Sequence, residues 1–206
     1  MTTTLLVIAK EPRPGRVKTR LTPPFTPEEA ARLAEASLAD TLHAVAATPA
    51  DRRVLALDGT PGPWLPYGFD VVPQCAGTLD ERLADAFAHC CGPTLLIGMD
   101  TPQVTPGLLT VDLTAYDACF GPAEDGGFWA LGLAEPEPGL LRGVPMSMPD
   151  TGAVQRERLV TAGLRVCDLP RLRDVDTAAD AHAVAALAPH GRFAARLARC
   201  TTAADR

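Results

Sequence analysis

The sequence predicts a three-layer α/β/α protein built on a mostly parallel sheet. Short apolar runs rich in β-branched residues alternate with longer segments whose apolar residues recur at helical spacing. This alternation is typical of parallel strands joined by right-handed helical crossovers. A length of 206 residues, of which 47% are hydrophobic, fits one domain over residues 1–206 with a sizeable core.

Two helix starts are marked by capping boxes. Thr26 is predicted to cap the first helix, with Pro27 as its first residue and Glu29 as the capping-box partner. The same T-x-x-E spacing returns at Thr78 and Glu81, which predicts the start of a second helix. Further helices are predicted in TPGLLTVDL, TGAVQRERLVTAG and TAADAHAVAALA, and we expect the last of these to end the series.

The predicted strands lie between these helices, in the order TLLVIA, RVLALD, FDVVPQ, TLLIG, the two halves of DACFGPAEDGGFWALGL, and LRVCDLP. The two halves of the long segment are joined by a Gly-rich turn and are expected to form an antiparallel pair. Ligands of open α/β sheets bind beyond the carboxyl ends of the strands. The residues that directly follow each strand are therefore the candidates for a site.

A basic loop follows the first strand of a chain that is acidic overall, with a net charge of −6. Five of its nineteen Lys and Arg residues fall within residues 10–20, which predicts a site for the phosphates of a nucleotide. A solvated basic loop is the alternative. Neither a P-loop nor a GxGxxG fingerprint is present. The predicted phosphate-binding residues are Ala9, Lys10, Gly15, Arg16, Lys18 and Arg20.

Carboxylates follow three later strands. Asp100 lies two residues after TLLIG, and Asp174 and Asp176 follow the last strand. We expect Asp100 and Asp176 to hold Mg²⁺ or Mn²⁺, because Mg²⁺ is commonly bound by one or two carboxylates together with substrate phosphates. Capping of a turn or of the following helix is the alternative for each. Asp125, which precedes two glycines, is a candidate catalytic residue that takes the proton of an acceptor hydroxyl, and Asp100 is a second candidate catalytic residue.

Several other classes of function are not supported. The acidic balance argues against a nucleic-acid partner, and no apolar run approaches the length of a membrane span, so we expect a cytoplasmic protein. The six cysteines and four histidines show neither zinc-ligand spacing nor the pattern of a nucleophilic triad. The oligomeric state is not predicted.

Four motifs together resemble a known group of proteins. AKEPRPGRVKTRL, GMDTP, GPAEDGGFWALGL and DVDTAAD are similar to motifs of a bacterial glycosyltransferase-like family associated with radical-SAM, selenium and arsenic genes. The resemblance covers residues 5–188 and implies the nucleotide-diphospho-sugar transferase (GT-A-like, Rossmann-like) fold. VKTRL and DVDT are also similar to phospholactate guanylyltransferase. That resemblance implies phosphate contacts for Lys18 and Arg20, and Mg²⁺ binding by Asp100 and Asp176.

Three hypotheses about function follow. The first is a metal-dependent glycosyltransferase that uses a nucleotide sugar and a small-molecule acceptor. The second is a guanylyltransferase-like nucleotidyltransferase that uses a nucleoside triphosphate and releases pyrophosphate, and the third is a nucleotide-binding module without turnover. The chain lacks both the GxGxR loop of nucleotidyltransferases and the DxD of glycosyltransferases. Trp64, Phe128 and Trp129 are expected either near the acceptor or in the core.

Overall fold

A computed structural model describes residues 3–204 of the chain, and the side chains through residue 200. The strands are β1 (Thr4–Lys10), β2 (Arg52–Asp58), β3 (Asp70–Pro73), β4 (Thr94–Ile97), β5 (Ala118–Pro122), β6 (Phe128–Leu133) and β7 (Val166–Asp168). The α-helices are α1 (Pro27–Ala47), α2 (Leu79–Ala88), α3 (Pro106–Leu109), α4 (Thr151–Thr161), α5 (Ala178–Leu187) and α6 (Arg192–Ala204). Short 3-10 helices lie at Thr19–Leu21 and Pro138–Leu140.

The seven strands form one sheet in the order β3-β2-β1-β4-β6-β5-β7. β1 pairs in parallel with β2 and β4, β2 pairs in parallel with β3, and β5 pairs in parallel with β7. β6 runs antiparallel to both of its neighbours, β4 and β5. The prediction of a mostly parallel sheet with one antiparallel element is therefore confirmed.

Helices cover both faces of the sheet. Leu5 and Val7 of β1 point into a core shared with Leu38 and Leu42 of α1, on the face that α1 and α3 cover. Leu6 points to the opposite face, into a core shared with α2 and α4. This alternation along β1 is what a strand buried on both faces requires. The three layers match the predicted fold class.

The predicted capping boxes are present at both helix starts. Thr26 Oγ1 accepts a hydrogen bond from Glu29 N, and Glu29 accepts one from Thr26 N. Thr78 and Glu81 make the same reciprocal arrangement at α2. Because these bonds satisfy backbone groups that a helix leaves unpaired, they fix where each helix begins.

Two helices differ from the prediction. The helix expected through TPGLLTVDL spans only four residues. Asp112 Oδ1 accepts hydrogen bonds from Thr114 N and Ala115 N, so a turn follows where more helix was expected. The structure also adds α6 after the helix predicted to be last. Its apolar residues Phe193, Leu197 and Cys200 are buried against α1 and α5, and their i, i+4, i+7 spacing is the signal that predicts such a helix.

None of the helices within residues 3–204 is both long enough and apolar enough to cross a membrane.

Candidate functional site

A cavity of about 660 Å³ opens at the carboxyl edge of the sheet, where the predicted site residues meet. Segments that are far apart in the sequence line it, because β1 and β4 are in register and leave the sheet at the same edge. Of the predicted residues, those that line the cavity are Ala9, Lys10, Arg16, Lys18, Arg20, Asp100, Asp125 and Asp176. Gly15 lies outside the lining and turns the loop with a φ of 74°.

The basic loop is divided between the cavity and the core. Val17 and Leu21 are buried against α1 and its neighbours, whereas Arg16, Lys18 and Arg20 line the cavity. This near-alternation of apolar and basic residues anchors the loop on one side and presents cations on the other. Arg13 is absent from the lining and instead pairs with Glu11, with 2.7 Å between Arg13 Nε and Glu11 Oε1.

Lys18 lies between two carboxylates from distant parts of the chain. Its Nζ is 2.9 Å from Asp100 Oδ1 and 3.1 Å from Asp176 Oδ1, and its side chain is only 7% exposed. Burial by itself would lower the pKa of Lys18, but the charges of Asp100 and Asp176 outweigh it and raise the pKa above its ordinary value. The ammonium is therefore charged and holds the two carboxylates together.

The second cation at this cluster is Arg20. Its Nη1 lies 3.0 Å from Asp176 Oδ2, so both oxygens of Asp176 face a cation. The Arg20 side chain is 75% exposed, and it reaches the cluster from the solvent side. An exposed arginine at the mouth of a cavity can turn its fork to a phosphate without leaving a buried charge unpaired.

Asp174 is a carboxyl group whose ionised form the fold disfavours. Its Oδ1 is buried and makes no hydrogen bond, and Asp100 Oδ1 also lacks a hydrogen-bond partner beyond its ion pair. Burial, followed by the charges of Asp125 and Asp100, raises the pKa of Asp174 to about 7. A carboxylate that is costly to ionise among other carboxylates is well suited to a bound cation. The sequence pairs Asp174 with Asp176, but spacing alone does not distinguish their surroundings.

Asp176 does not cap α5, which was the alternative expected for it from the sequence. Thr177, and not Asp176, caps this helix, since Thr177 Oγ1 accepts a hydrogen bond from Asp180 N. Asp176 is therefore available to Lys18 and Arg20. The backbone joins the two carboxylate segments, because Val175 N donates to Asp100 O over 3.0 Å.

The residues at this site fit a divalent cation that is bound jointly by protein carboxylates and the phosphates of a ligand. Within residues 3–204, no three or more His, Cys, Asp or Glu side chains are arranged to hold a metal by themselves. Asp174 has a buried oxygen without a hydrogen-bond partner, and Asp100 beside it is paired with Lys18. These carboxylates, next to cations that can bind phosphate, nonetheless match the usual mode of Mg²⁺, which keeps water and takes phosphate oxygens as ligands.

The turn between β5 and β6 brings Asp125 to the cavity. Asp125 Oδ1 accepts a hydrogen bond from Gly127 N over 2.8 Å, which orients the carboxylate in an Asx-type turn. Glu124, its neighbour in the sequence, instead pairs with Arg173, with 2.6 Å between Glu124 Oε2 and Arg173 Nη2. Of these two acidic residues, Asp125 alone lines the cavity.

Several polar residues of the lining were not predicted, among them Gln74, Arg82 and Ser147. Gln74 follows β3 and donates through Nε2 to Ala9 O and Ala56 O, which leaves its Oε1 as the unused acceptor. Applying the strand-end rule after FDVV would have found it. Arg82 and Ser147 lie on α2 and in an irregular segment, where no strand-end signal exists.

The predicted aromatic residues separate into two groups. Phe128 lines the cavity, and its ring centroid lies 5.6 Å from that of Phe120. Trp129 reaches the lining but is 1% exposed and donates from Nε1 to Pro170 O, so it is mainly a core residue. Trp64 does not line the cavity and packs against the core on the α1 face.

Solved structures share this fold. A candidate nucleotide-diphospho-sugar transferase from Desulfovibrio desulfuricans G20 is 26% identical and has a TM-score of 0.85, over 97% of this chain and 95% of its own. The 2-C-methyl-D-erythritol 4-phosphate cytidylyltransferase from Thermus thermophilus is 17% identical with a TM-score of 0.56, over 92% of this chain and 100% of its own. The manganese complex of Rv0371c from Mycobacterium tuberculosis H37Rv is 23% identical with a TM-score of 0.50, over 89% and 97%.

These likenesses confirm the nucleotide-diphospho-sugar transferase fold, which glycosyl and nucleotidyl transferases share. A comparison with curated protein sequences finds no matching relative. A family model described as uncharacterized protein conserved in bacteria matches residues 30–148, which is more than half of the chain and includes GMDTP and the β5–β6 turn. The chain therefore belongs to this bacterial family, DUF2064.

Proposed function

We propose that this protein is a metal-dependent transferase that binds the phosphates of a nucleotide, and that its donor is a nucleotide sugar. The observation that carries the proposal is the cluster at the carboxyl edge, where Lys18 and Arg20 meet Asp100, Asp174 and Asp176. A buried cation among carboxylates, at the mouth of a cavity lined by further cations, suits a leaving group that gains negative charge.

The cations and carboxylates have separate tasks in this proposal. Lys10, Arg16, Lys18 and Arg20 bind the phosphates and stabilise the charge on the departing group. Asp100, with Asp174 and Asp176, would hold Mg²⁺ or Mn²⁺, and a bound divalent cation would neutralise phosphate charge there. These assignments extend the predicted site by one residue, Asp174.

Asp125 is proposed to accept the proton of the acceptor hydroxyl. Its carboxylate is exposed in the lining and is oriented by Gly127 N, so it can approach a nucleophile that enters the cavity. General bases act within hydrogen-bond reach of the proton that they take. The proposal places the nucleophile between Asp125 and the cluster around Lys18.

Nucleotidyl transfer is the second candidate, and the number of cations favours it. Five basic side chains line the cavity, namely Lys10, Arg16, Lys18, Arg20 and Arg82. A departing pyrophosphate carries more charge than a nucleoside diphosphate esterified at one end, and it requires more cationic stabilisation. The fold serves both reactions, and a nucleotide-binding module without turnover would use the same phosphate site.

The test is ligand-dependent thermal unfolding with Mg²⁺ and a panel of nucleotide sugars and nucleoside triphosphates. A ligand present at 100 times its dissociation constant should stabilise the protein by about 2.7 kcal/mol. Asp100→Asn should remove the metal-dependent part of this shift. Asp150→Asn, an exposed carboxylate outside the lining, should retain it.

The products distinguish the three functions. Release of a nucleoside diphosphate from a nucleotide sugar supports glycosyl transfer, and release of pyrophosphate from a triphosphate supports nucleotidyl transfer. Binding of either ligand without product supports the module. The absence of a thermal shift with every nucleotide in the panel would contradict all three.

A further inference from the structure

One flank of the cavity is lined mainly by apolar side chains, and its nearest basic residue along the chain is Arg82, which precedes Leu83 on α2. We define the apolar wall as Leu79, Leu83, Leu96, Phe128, Met146 and Met148, all of which line the cavity. Leu79 is 42% exposed and Met148 is 52% exposed, so large apolar side chains are exposed both on α2 and on the segment that carries Met148. Exposed apolar surface inside a cleft is characteristic of a binding site for an organic ligand.

Four residues of the wall lie on regular elements, and the wall is continuous with the core. Leu79 and Leu83 lie four residues apart on α2 and therefore on one helix face. Leu96 of β4 is 2% exposed and belongs to the cavity lining. Phe128 and Met146 pack against the same core cluster, so their positions do not depend on a ligand.

The segment that carries the two methionines is fixed by backbone contacts with the β5–β6 turn. Gly152 N donates to Gly126 O over 2.7 Å. A Cβ on Gly126 would overlap Pro149 O, so the approach of the two segments requires a glycine there. Ser147, between the methionines, has a φ of 60°, which is uncommon for a residue with a side chain.

The charge distribution in the cavity indicates what this flank can bind. Its basic residues lie within 10–20 and at Arg82, on the β1 and α2 sides. Between residues 128 and 151, the lining consists of Phe128, Trp129, Met146, Ser147, Met148 and Thr151, none of which is charged. A phosphate placed against this stretch would face no cation and would lie on the side of Asp125. An uncharged group would meet no such penalty.

We propose that the apolar wall binds the acceptor, and that the acceptor is an uncharged molecule with a hydroxyl group beside an alkyl or aryl group. This inference rests on the proposed transferase function, since it assigns the basic loop to the donor phosphates. The hydroxyl lies toward Asp125 and the polar Ser147, and the apolar part lies on the wall. A phosphorylated acceptor is disfavoured by the same charge distribution.

Probes of increasing chain length test the apolar part of the proposal. The binding of 1,2-alkanediols from butane- to octanediol is measured by saturation-transfer NMR in the presence of Mg²⁺. Each buried methylene should raise the affinity by up to about fourfold, which corresponds to about 0.8 kcal/mol. Alkyl phosphates of the same lengths should bind this flank more weakly. An affinity that does not change with chain length, or phosphates that bind the flank more tightly than diols, would overturn the proposal.

A matched pair of variants locates the binding. Met148→Lys replaces an apolar contact of the wall with a charged group and should lower the affinity for hexanediol by at least about tenfold, since the diol's alkyl chain would then have to displace the water around the ammonium. Val160→Lys changes a side chain of α4 that is 44% exposed and outside the lining, and it should leave the affinity unchanged. Equal effects of the two variants would overturn the assignment.

Nucleotide affinity separates this proposal from its alternatives. Met148→Lys should not lower the affinity for Mg²⁺-nucleotides; if nucleotide affinity falls with the diol affinity, the wall binds the nucleobase and the proposal is wrong. If no nucleotide binds while the diols still show the chain-length dependence, the transferase function fails and the apolar site stands.

Discussion

Replacing Lys18 by methionine removes a buried ammonium from between two carboxylates and keeps a side chain of similar length. In the wild-type protein this ammonium lies 2.9 Å from Asp100 Oδ1 and 3.1 Å from Asp176 Oδ1. The variant leaves those carboxylates facing each other and facing Asp174, whose charge the fold already disfavours. We therefore expect the metal-free variant to be less stable than the wild type.

The size of the loss follows from the distances and the exposure. At an effective dielectric constant of about 20, each contact is worth roughly 5–6 kcal/mol before the cost of burying the ammonium is subtracted. Removing one partner of a buried pair typically costs about 3–5 kcal/mol. The Asp100 and Asp176 side chains are 36% and 31% exposed, so water screens them and the lower end, about 3 kcal/mol, applies. For a domain of this size that corresponds to a fall in Tm of roughly 6–12 °C.

The assay is thermal unfolding at pH 8, first with EDTA and then with Mn²⁺ and no nucleotide. Lys10→Met is the control, because Lys10 lines the same cavity but is exposed and outside the cluster. It should change the stability by no more than about 0.5 kcal/mol. Mn²⁺ should recover more of the lost stability in Lys18→Met than it adds to the wild type, since the variant has no ammonium among its carboxylates.

A Tm in EDTA that is the same for Lys18→Met as for Lys10→Met would refute the reasoning, because the ammonium would then contribute no net stability between its carboxylates. If Lys18→Met shows the expected loss of stability and Mn²⁺ does not reverse it, Lys18 stabilises the fold but its carboxylates do not bind the metal.

Three further predictions test other parts of the site. The pKa of Asp174 is raised to about 7, so in EDTA the folded state holds this proton more tightly than the unfolded state does. The proton's contribution to the free energy of unfolding is therefore fully present below about pH 4 and is lost as the pH rises through 7. Asp174→Asn should therefore gain stability over the wild type between pH 5 and pH 8, by up to about 4 kcal/mol in urea unfolding. Gly126→Ala should cost at least about 2 kcal/mol more than Gly143→Ala, because both glycines have positive φ but only a Cβ at the former would meet a neighbouring backbone oxygen. Arg16→Ala should weaken nucleotide binding in calorimetry, most strongly at low salt, whereas Arg13→Ala should have little effect because that side chain is turned to Glu11.

Local signals account for the part of the fold that the sequence predicts. The capping boxes at Thr26 and Thr78 depend on residues three positions away, so they can be recognised from spacing alone. The strand-end rule finds Asp100 for a similar reason, since a short apolar strand and the residue after it are adjacent in the chain.

Long-range relationships explain what could not be predicted. Lys18 hydrogen-bonds to Asp176 across 158 positions, and no periodicity indicates that this lysine is buried between carboxylates. The different environments of Asp174 and Asp176 depend on which oxygens the fold covers. Met146 and Met148 belong to an irregular segment without a motif, and only the contact of its neighbours with the β5–β6 turn places them at the cavity.

The reversed direction of β6 has a consequence for where the cavity can exist. A parallel connection from β5 would need a crossover, usually with a helix that packs on the sheet, whereas the antiparallel pair needs only residues 123–127. The hairpin therefore brings no helix to the surface between α2 and α4, and Leu96 and Phe128 there remain within reach of a ligand. In this protein the direction of one strand leaves uncovered the surface at which we propose that the acceptor binds.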